Sequence, residues 1–298
     1  MSNAVPPNRI FPTSKVDAHA ASHVPATSQT ESTAYRLAFQ DTDFLLREDL
    51  RPVRFQLELL KPELLLDEAK IASTFVFYGS ARIPAPEMAD ALVASATTEQ
   101  ERAVAERLKA KAPYYDVARQ LARLASRTPI DAAGYRHFVV CSGGGPSIME
   151  AANRGAVDEG QETIGLNIVL PHEQMPNPYV TPDLSFQFHY FALRKMHFLL
   201  RARAVAVFPG GFGTFDEMFE LLTLIQTGKV RPLPILLFGR DFWSRMVDFE
   251  GLADEGVIAR KDLALLHWVE DADEAWDYVR TFYEERDGVG DTTDTDGS

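Results

Sequence analysis

From residue 73 onward, short runs of consecutive apolar residues end in glycine- or proline-rich turns, and helix-length stretches lie between them. Ser73-Thr-Phe-Val-Phe-Tyr78 runs into Gly79-Ser80. His137-Phe-Val-Val-Cys141 runs into Ser142-Gly-Gly-Gly-Pro146, and Ala204-Val-Ala-Val-Phe208 into Pro209-Gly-Gly-Phe-Gly-Thr214. Thr163 to Leu170 and Pro234 to Phe238 read as two more strands, with a weaker sixth near Leu266 to Val269. Consecutive rather than alternating apolar positions are what a strand covered on both faces requires. Helices are expected over Tyr115 to Ser126, after Pro146 (placed in the first turn, with Gly160 closing the helix), over Tyr190 to Arg203, and from Thr214 to Gly228. Strands alternating with helices at this spacing predict right-handed βαβ units, hence an α/β protein built on a doubly wound parallel sheet with helices on both faces.

Upstream, Tyr35 to Ile71 has apolar residues such as Phe55, Leu59 and Leu60 at helical spacing, and Pro52 and Pro62 are expected to break it into short helices. Ala85 to Lys111 reads as a helical insertion after the first strand. The expected organisation is a disordered N-terminal arm over 1–33, a helical extension over 34–72, an α/β domain over 73–283 and a disordered acidic tail over 284–298.

Composition narrows the function classes. The chain is 46% apolar and 24% charged, with a formal net charge of -13, so a sizeable core is expected and a nucleic-acid partner is not. A small anion remains compatible with that charge, because a helix N-terminus and a few cations set the local field. The single cysteine, Cys141, rules out a disulfide framework and fits a cytoplasmic protein. No run approaches the ~18 apolar residues of a membrane span, so no membrane partner is expected.

In an open parallel sheet the ligand sits outside the carboxyl ends of the strands. Three unusual segments fall there: Gly79-Ser80-Ala81-Arg82, the Gly143-Gly144-Gly145 run, and Pro209 to Thr214. Glycines let backbone N–H groups approach an anion, and the following helix adds roughly half a positive charge at its N-terminus. Thr214-Phe-Asp-Glu217 also spells a capping box, with Thr214 as N-cap and Glu217 reaching back. A structural and a catalytic reading of Glu217 therefore stand side by side. The basic pair Arg194-Lys195 likewise fits a solvated helix face as well as a site. His172, His189 and His197 show no metal-ligand spacing, and no metal is expected.

Taken together and in this order, Gly79 to Arg82, Gly143 to Pro146, Arg194-Lys195 and Pro209-Gly-Gly-Phe-Gly-Thr-Phe-Asp-Glu217 resemble the motifs of the Lonely Guy (LOG) family, longer bacterial type. The resemblance covers roughly Thr74 to Ala259. It implies a Rossmann-like fold and hydrolysis of a nucleoside 5′-monophosphate, such as AMP or an N6-modified AMP, to free base and ribose 5-phosphate without a cofactor. It implies Arg194 and Glu217 as the catalytic pair. As substrate contacts it implies Glu173, Lys195, Gly210, Gly211, Gly213, Thr214 and Thr223, to which the other two strand-end turns add Ser80, Arg82, Gly144 and Gly145. Family members assemble as homodimers or larger homo-oligomers, so the same is expected here. A non-catalytic nucleotide or cofactor carrier on this fold is the alternative. The decarboxylase label once given to such proteins would need a pyridoxal-phosphate lysine, with only Lys195 and Lys229 near the motifs.

Overall fold

The computed structural model describes residues 10–171 and 175–288. The chain divides into two compact units, Met1–Leu64 and Leu65–Ser298. The first unit holds α1 (Ser14–Ala21), α2 (Thr42–Leu45), short 3-10 turns, and most of α3 (Arg51–Glu68). Helix α1 lies in the stretch expected to be disordered; the Thr13 hydroxyl caps it by accepting from the Val16 amide, and it buries none of its residues. Helix α3 is continuous where the sequence predicts a break, with Pro62 inside it. A proline there removes one intrahelical bond and costs about 3 kcal/mol, but strong helix formers (Leu, Glu, Gln, Lys) surround it. Pro52, at the second position, stands where no intrahelical donor is required.

The second unit alternates strands and helices. In order come β1 (Thr74–Tyr78), α4 (Pro86–Ala94), α5 (Glu99–Lys109), α6 (Pro113–Ser126), β2 (Val139–Ser142), α7 (Ile148–Asp158), β3 (Ile164–Ile168), β4 (Ser185–Phe188), α8 (Phe191–Leu200), β5 (Ala202–Val207), α9 (Phe212–Gln226), β6 (Ile235–Phe238), α10 (Arg240–Met246), α11 (Phe249–Asp254), β7 (His267–Val269) and α12 (Ala272–Gly288). The seven strands form one sheet, all parallel, in the order β4-β3-β2-β1-β5-β6-β7. This is the doubly wound α/β architecture. Helix α12 continues past residue 284, where a disordered tail is expected. Among the described residues no helix is long and apolar enough to cross a membrane.

Strand β4 has no counterpart in the sequence reading. Ser-Phe-Gln-Phe alternates in burial, as an edge strand half open to solvent does, and a search for continuous apolar runs passes over it. Pro146 also sits differently: α7 begins two residues later, after Ser147 turns the chain with φ 68° and donates its hydroxyl to the Ile83 carbonyl at 2.5 Å. Gly160, at φ +68°, closes α7 as the sequence predicts.

One face of the sheet presents Phe75, Phe77, Val140, Ala204, Ala206, Phe208 and Phe238 to Tyr115, Leu121, Ile148 and Val279 of α6, α7 and α12. Phe208 stacks on Phe238 with ring centroids 4.3 Å apart. The alternate residues Val76, Tyr78, Cys141, Val205 and Val207 are buried on the other face, where Tyr78 meets Phe198 of α8 edge-on at 5.2 Å. That second face carries the candidate site.

Candidate functional site

From β1 the chain winds outward through β2, β3 and β4, and from β5 in the opposite direction through β6 and β7. The switch point, where such sheets open a crevice, is therefore the gap beyond the ends of β1 and β5. The structure joins the two turns there: the Phe208 amide donates to the Tyr78 carbonyl (2.9 Å) and the Ser80 amide to the Pro209 carbonyl (3.1 Å). Gly79-Ser80 and Pro209 to Gly213 thus lie side by side.

Helices α8 and α9 meet across the second face through charge. The Arg194 Nη1 donates to Glu217 Oε1 at 3.2 Å, and both side chains are only 12% exposed. Arg194 is held on its other sides as well. Its Nε donates to the Leu166 carbonyl of β3 at 2.7 Å, and its guanidinium lies 5.0 Å from the Phe198 ring centroid. Burial pushes the Glu217 carboxyl up to about 7, against the Arg194 charge that pulls it down; Asp216 and Glu220 push it up and Lys195 pulls it down. A carboxyl poised near neutrality is what general acid–base work requires. Burial and the nearby Glu217 charge raise the Tyr78 phenol well above its ordinary range, and burial raises the Cys141 thiol, so neither is ionised at neutral pH. Cys141 is no nucleophile here.

The capping-box reading of Thr214 and Glu217 is corrected by the structure. Gly211 is the N-cap of α9, Thr214 is its third residue, and α9 has no side-chain cap bond. The helix starts early because Gly210 and Gly211 let the chain turn immediately after Pro209. A Cβ on Gly210 would fall 2.1 Å from Thr214 Oγ1, so the buried threonine packs directly beneath the loop. Gly211 and Gly213 are exposed, with nothing within 4 Å of where their Cβ atoms would be. The first amides of a helix lack intrahelical acceptors, so this open end presents donors of the kind an anion takes.

The Gly143 to Gly145 turn divides its work. Gly144 and Gly145 are buried, and the Gly144 amide is already given to Ser142 Oγ at 3.0 Å. The Gly144 and Gly145 carbonyls accept from Asn177 Nδ2 at 3.2 and 2.9 Å. Gly144, at φ +72°, would bring a Cβ within 2.4 Å of Asn167 Oδ1. Gly143 is the half-exposed one, and it faces Arg194.

The remaining sequence-derived contacts scatter more widely. Lys195 is not aimed at the loop; its ammonium lies 3.1 Å from Asp216 and 3.0 Å from Glu220, a strut between α8 and α9. Burial lowers its pKa, but the two carboxylates outweigh that and leave it raised. Thr223 is exposed, about three turns along α9, with its hydroxyl donated to the Phe219 carbonyl at 2.8 Å. It lines a surface cavity of about 410 Å³ with Phe215, Asp216, Phe219 and Glu220. Ser80 Oγ accepts from the Arg82 amide at 3.0 Å, and the Arg82 guanidinium is exposed, with no carboxylate partner among the described residues. Glu173 lies outside the described residues. Among the described residues no group of His, Cys, Asp and Glu could hold a metal ion.

Sequence reading missed Tyr78, Asn153 and Asn177. Asn153 carried a usable signal, since asparagine is a poor choice inside the alanine-rich run Glu150-Ala-Ala-Asn153 unless its amide is needed. A substitution tests the floor under Arg194. In Gly143→Ala the new Cβ would meet Arg194 Nη2 at 2.6 Å and Met149 Sδ at 2.9 Å. Arg194 can yield only by loosening its bonds to Leu166 and Glu217. The variant is expected to fold normally yet lose about 10²-fold in kcat, the cost of an ångström-scale displacement at a reacting centre. Steady-state kinetics beside thermal unfolding checks this, and unchanged turnover would remove the floor from the account.

Residues 149–279 match a family model described as "Possible lysine decarboxylase". Over 153 residues the chain is 27% identical to the cytokinin riboside 5′-monophosphate phosphoribohydrolase LOG2 of Arabidopsis thaliana, covering 50% of this chain and 67% of that protein. Over 141 residues it is 30% identical to the pyrimidine/purine nucleotide 5′-monophosphate nucleosidase of Escherichia coli (strain K12). That match covers 42% of this chain but only 29% of the larger relative. Among solved structures, a molybdenum cofactor binding protein from Rippkaea orientalis superposes with a TM-score of 0.41 at 18% identity, over 71% of this chain and 98% of that one. The sequence matches bear out the resemblance carried by the motifs.

Proposed function

We propose, taking the chain as a protein of the Lonely Guy family, that it is a cytoplasmic, homo-oligomeric hydrolase that cleaves the N-glycosidic bond of nucleoside 5′-monophosphates. AMP or an N6-modified AMP is the substrate class, and free base and ribose 5-phosphate are the products. The observation that carries the reading is the buried Glu217 carboxyl, with a pKa near 7 and Arg194 at 3.2 Å, set on the helix whose open N-terminus suits a phosphate. The exposed Phe191, Met196 and Phe212 on α8 and α9 support the oligomer.

In the proposed reaction the 5′-phosphate takes the free amides at the start of α9, with Arg82 as the available cation. This fixes the ribose towards Glu217. As the C1′–N bond breaks, its electron pair leaves with the base and C1′ gains positive charge, which the Glu217 carboxylate offsets. Water then bonds through oxygen to C1′. Its proton passes by way of Glu217, and the leaving nitrogen is protonated. Arg194 has its Nε committed to Leu166 and one Nη to Glu217, so its part is to hold Glu217 and keep it ionisable, rather than to grip the phosphate.

The decarboxylase description fits these residues poorly. A lysine forming a Schiff base must lose its proton, whereas Lys195 is held between two carboxylates that favour the charged form. Chromatography of a panel of purine and pyrimidine monophosphates, incubated with purified protein, tests the proposal. Release of free base from AMP or an N6-modified AMP is the expected result. No base from any member would overturn it in favour of a carrier.

A further inference from the structure

A closed ring of buried side-chain amides and hydroxyls lies behind the Gly143 to Gly145 turn. Ser142, Asn153 and Thr163 are fully buried and Asn177 is 7% exposed. Ser142 Oγ accepts from the Gly144 amide and donates to Asn153 Oδ1 at 2.7 Å. Asn153 Oδ1 also accepts from Asn177 Nδ2 at 2.9 Å, while Asn153 Nδ2 donates to Thr163 Oγ1. Asn177 closes the ring. Its Nδ2 serves the Gly144 and Gly145 carbonyls, its own amide donates to the Gly144 carbonyl at 2.8 Å, and its Oδ1 accepts from the Tyr179 amide at 3.2 Å. Every one of these groups would carry a desolvation penalty if left unpaired, so the ring holds together or fails as a unit.

The ring has an output. Gly144 and Gly145 are held by Ser142 and Asn177, which fixes the adjoining Gly143, and Arg194 Nη2 lies 2.6 Å from where a Gly143 Cβ would be. Arg194 in turn reaches Glu217. Asn177 comes from the segment after β3, so one side chain links that segment to the floor of the ion pair.

We propose that Asn177 is a positioning residue for the Arg194–Glu217 pair, acting through the Gly143 to Gly145 turn. The inference rests on the proposed hydrolysis for its meaning but not for its test. With Asn177→Ala the Gly145 carbonyl loses its side-chain donor, the turn relaxes, and Arg194 moves relative to Glu217. Asp216, Glu220, Lys195, Tyr78 and Cys141 still face Glu217 unchanged. Weakening Arg194 alone must therefore move the Glu217 titration upward.

The experiment has two independent readouts on full-length protein. Carboxyl carbon NMR, assigned by comparison with Glu217→Gln, follows the Glu217 titration in wild type, Asn177→Ala and Asn177→Ser. The midpoint is expected to rise in Asn177→Ala, and by less in Asn177→Ser, which keeps one donor. Kinetics on AMP should lose roughly 10- to 100-fold in kcat per folded site with KM little changed. A purely structural role would lower the melting temperature while leaving both the Glu217 midpoint and kcat per folded site at wild-type values, and that result overturns the proposal. Should Asn177→Ala not fold, Asn177→Ser decides by the same criteria. If wild type releases no base, the hydrolase reading fails, yet the Glu217 midpoint still judges the positioning role.

Discussion

Replacing Glu217 with Gln is expected to lower kcat for base release by about 10²–10⁴-fold, the usual range for a lost acid–base group. The fold should not suffer. Gln keeps the size of Glu and an oxygen that can accept from Arg194, and no cap bond is at stake because α9 is capped at Gly211 without side-chain help. The charge itself costs stability. The Glu217 pKa stands near 7 in the folded protein against 4.5 for the free side chain, so the folded state holds its proton more tightly. Stability of the wild type then falls as pH rises between those two values and levels off above the higher one, a loss on the order of 3 kcal/mol. Gln has no such loss. Glu217→Gln should accordingly match wild type in melting temperature near pH 4 and exceed it at pH 8. A variant that keeps near-wild-type turnover but melts lower at pH 8 would make Glu217 a structural residue.

Removing the 5′-phosphate from the substrate is the second large effect. The start of α9 offers amides without intrahelical acceptors, Gly211 and Gly213 leave the approach clear, and Arg82 stands exposed beside Ser80. Charge-assisted hydrogen bonds contribute about 1.5–3 kcal/mol each. Losing two should reduce kcat/KM on adenosine relative to AMP by roughly two to four orders of magnitude. Comparable efficiency on both would mean the loop holds something other than phosphate. Direct comparison of initial rates at matched, sub-saturating concentrations makes the measurement.

Much of this was legible in the sequence, for identifiable reasons. Strands buried on both faces announce themselves as continuous apolar runs, and β1, β2, β5 and β6 do so. The half-exposed edge strand β4 carries no such mark, and neither does a proline that a long helix absorbs, as α3 absorbs Pro62. Arg194 and Glu217 stand out by motif, and folding brings them to 3.2 Å. What stays hidden is which groups a neighbour has already used. Lys195 looks like an available cation until Asp216 and Glu220 are seen to hold it. Gly144 looks like an anion ligand until its amide is found bonded to Ser142. The Thr214 to Glu217 spacing suits a capping box, but Gly210 and Gly211 start the helix three residues earlier than that box requires. The first depends on packing between helices distant in sequence, and the other two on local turn geometry that the residue pattern does not display.

The central claim is that Glu217 is the ionisable group whose charge drives base release. The measurement that tests it most directly is the rate of adenine release from AMP, or of base from an N6-modified AMP, across pH 5 to 9 for wild type and Glu217→Gln. Since the carboxylate is the active form, the wild-type kcat/KM, which reports ionisation of the free protein, is predicted to rise with pH through a midpoint near 7, and Glu217→Gln to stay low and flat. Base release that is absent at every pH, or a rising limb near 7 that persists in Glu217→Gln, would contradict the account.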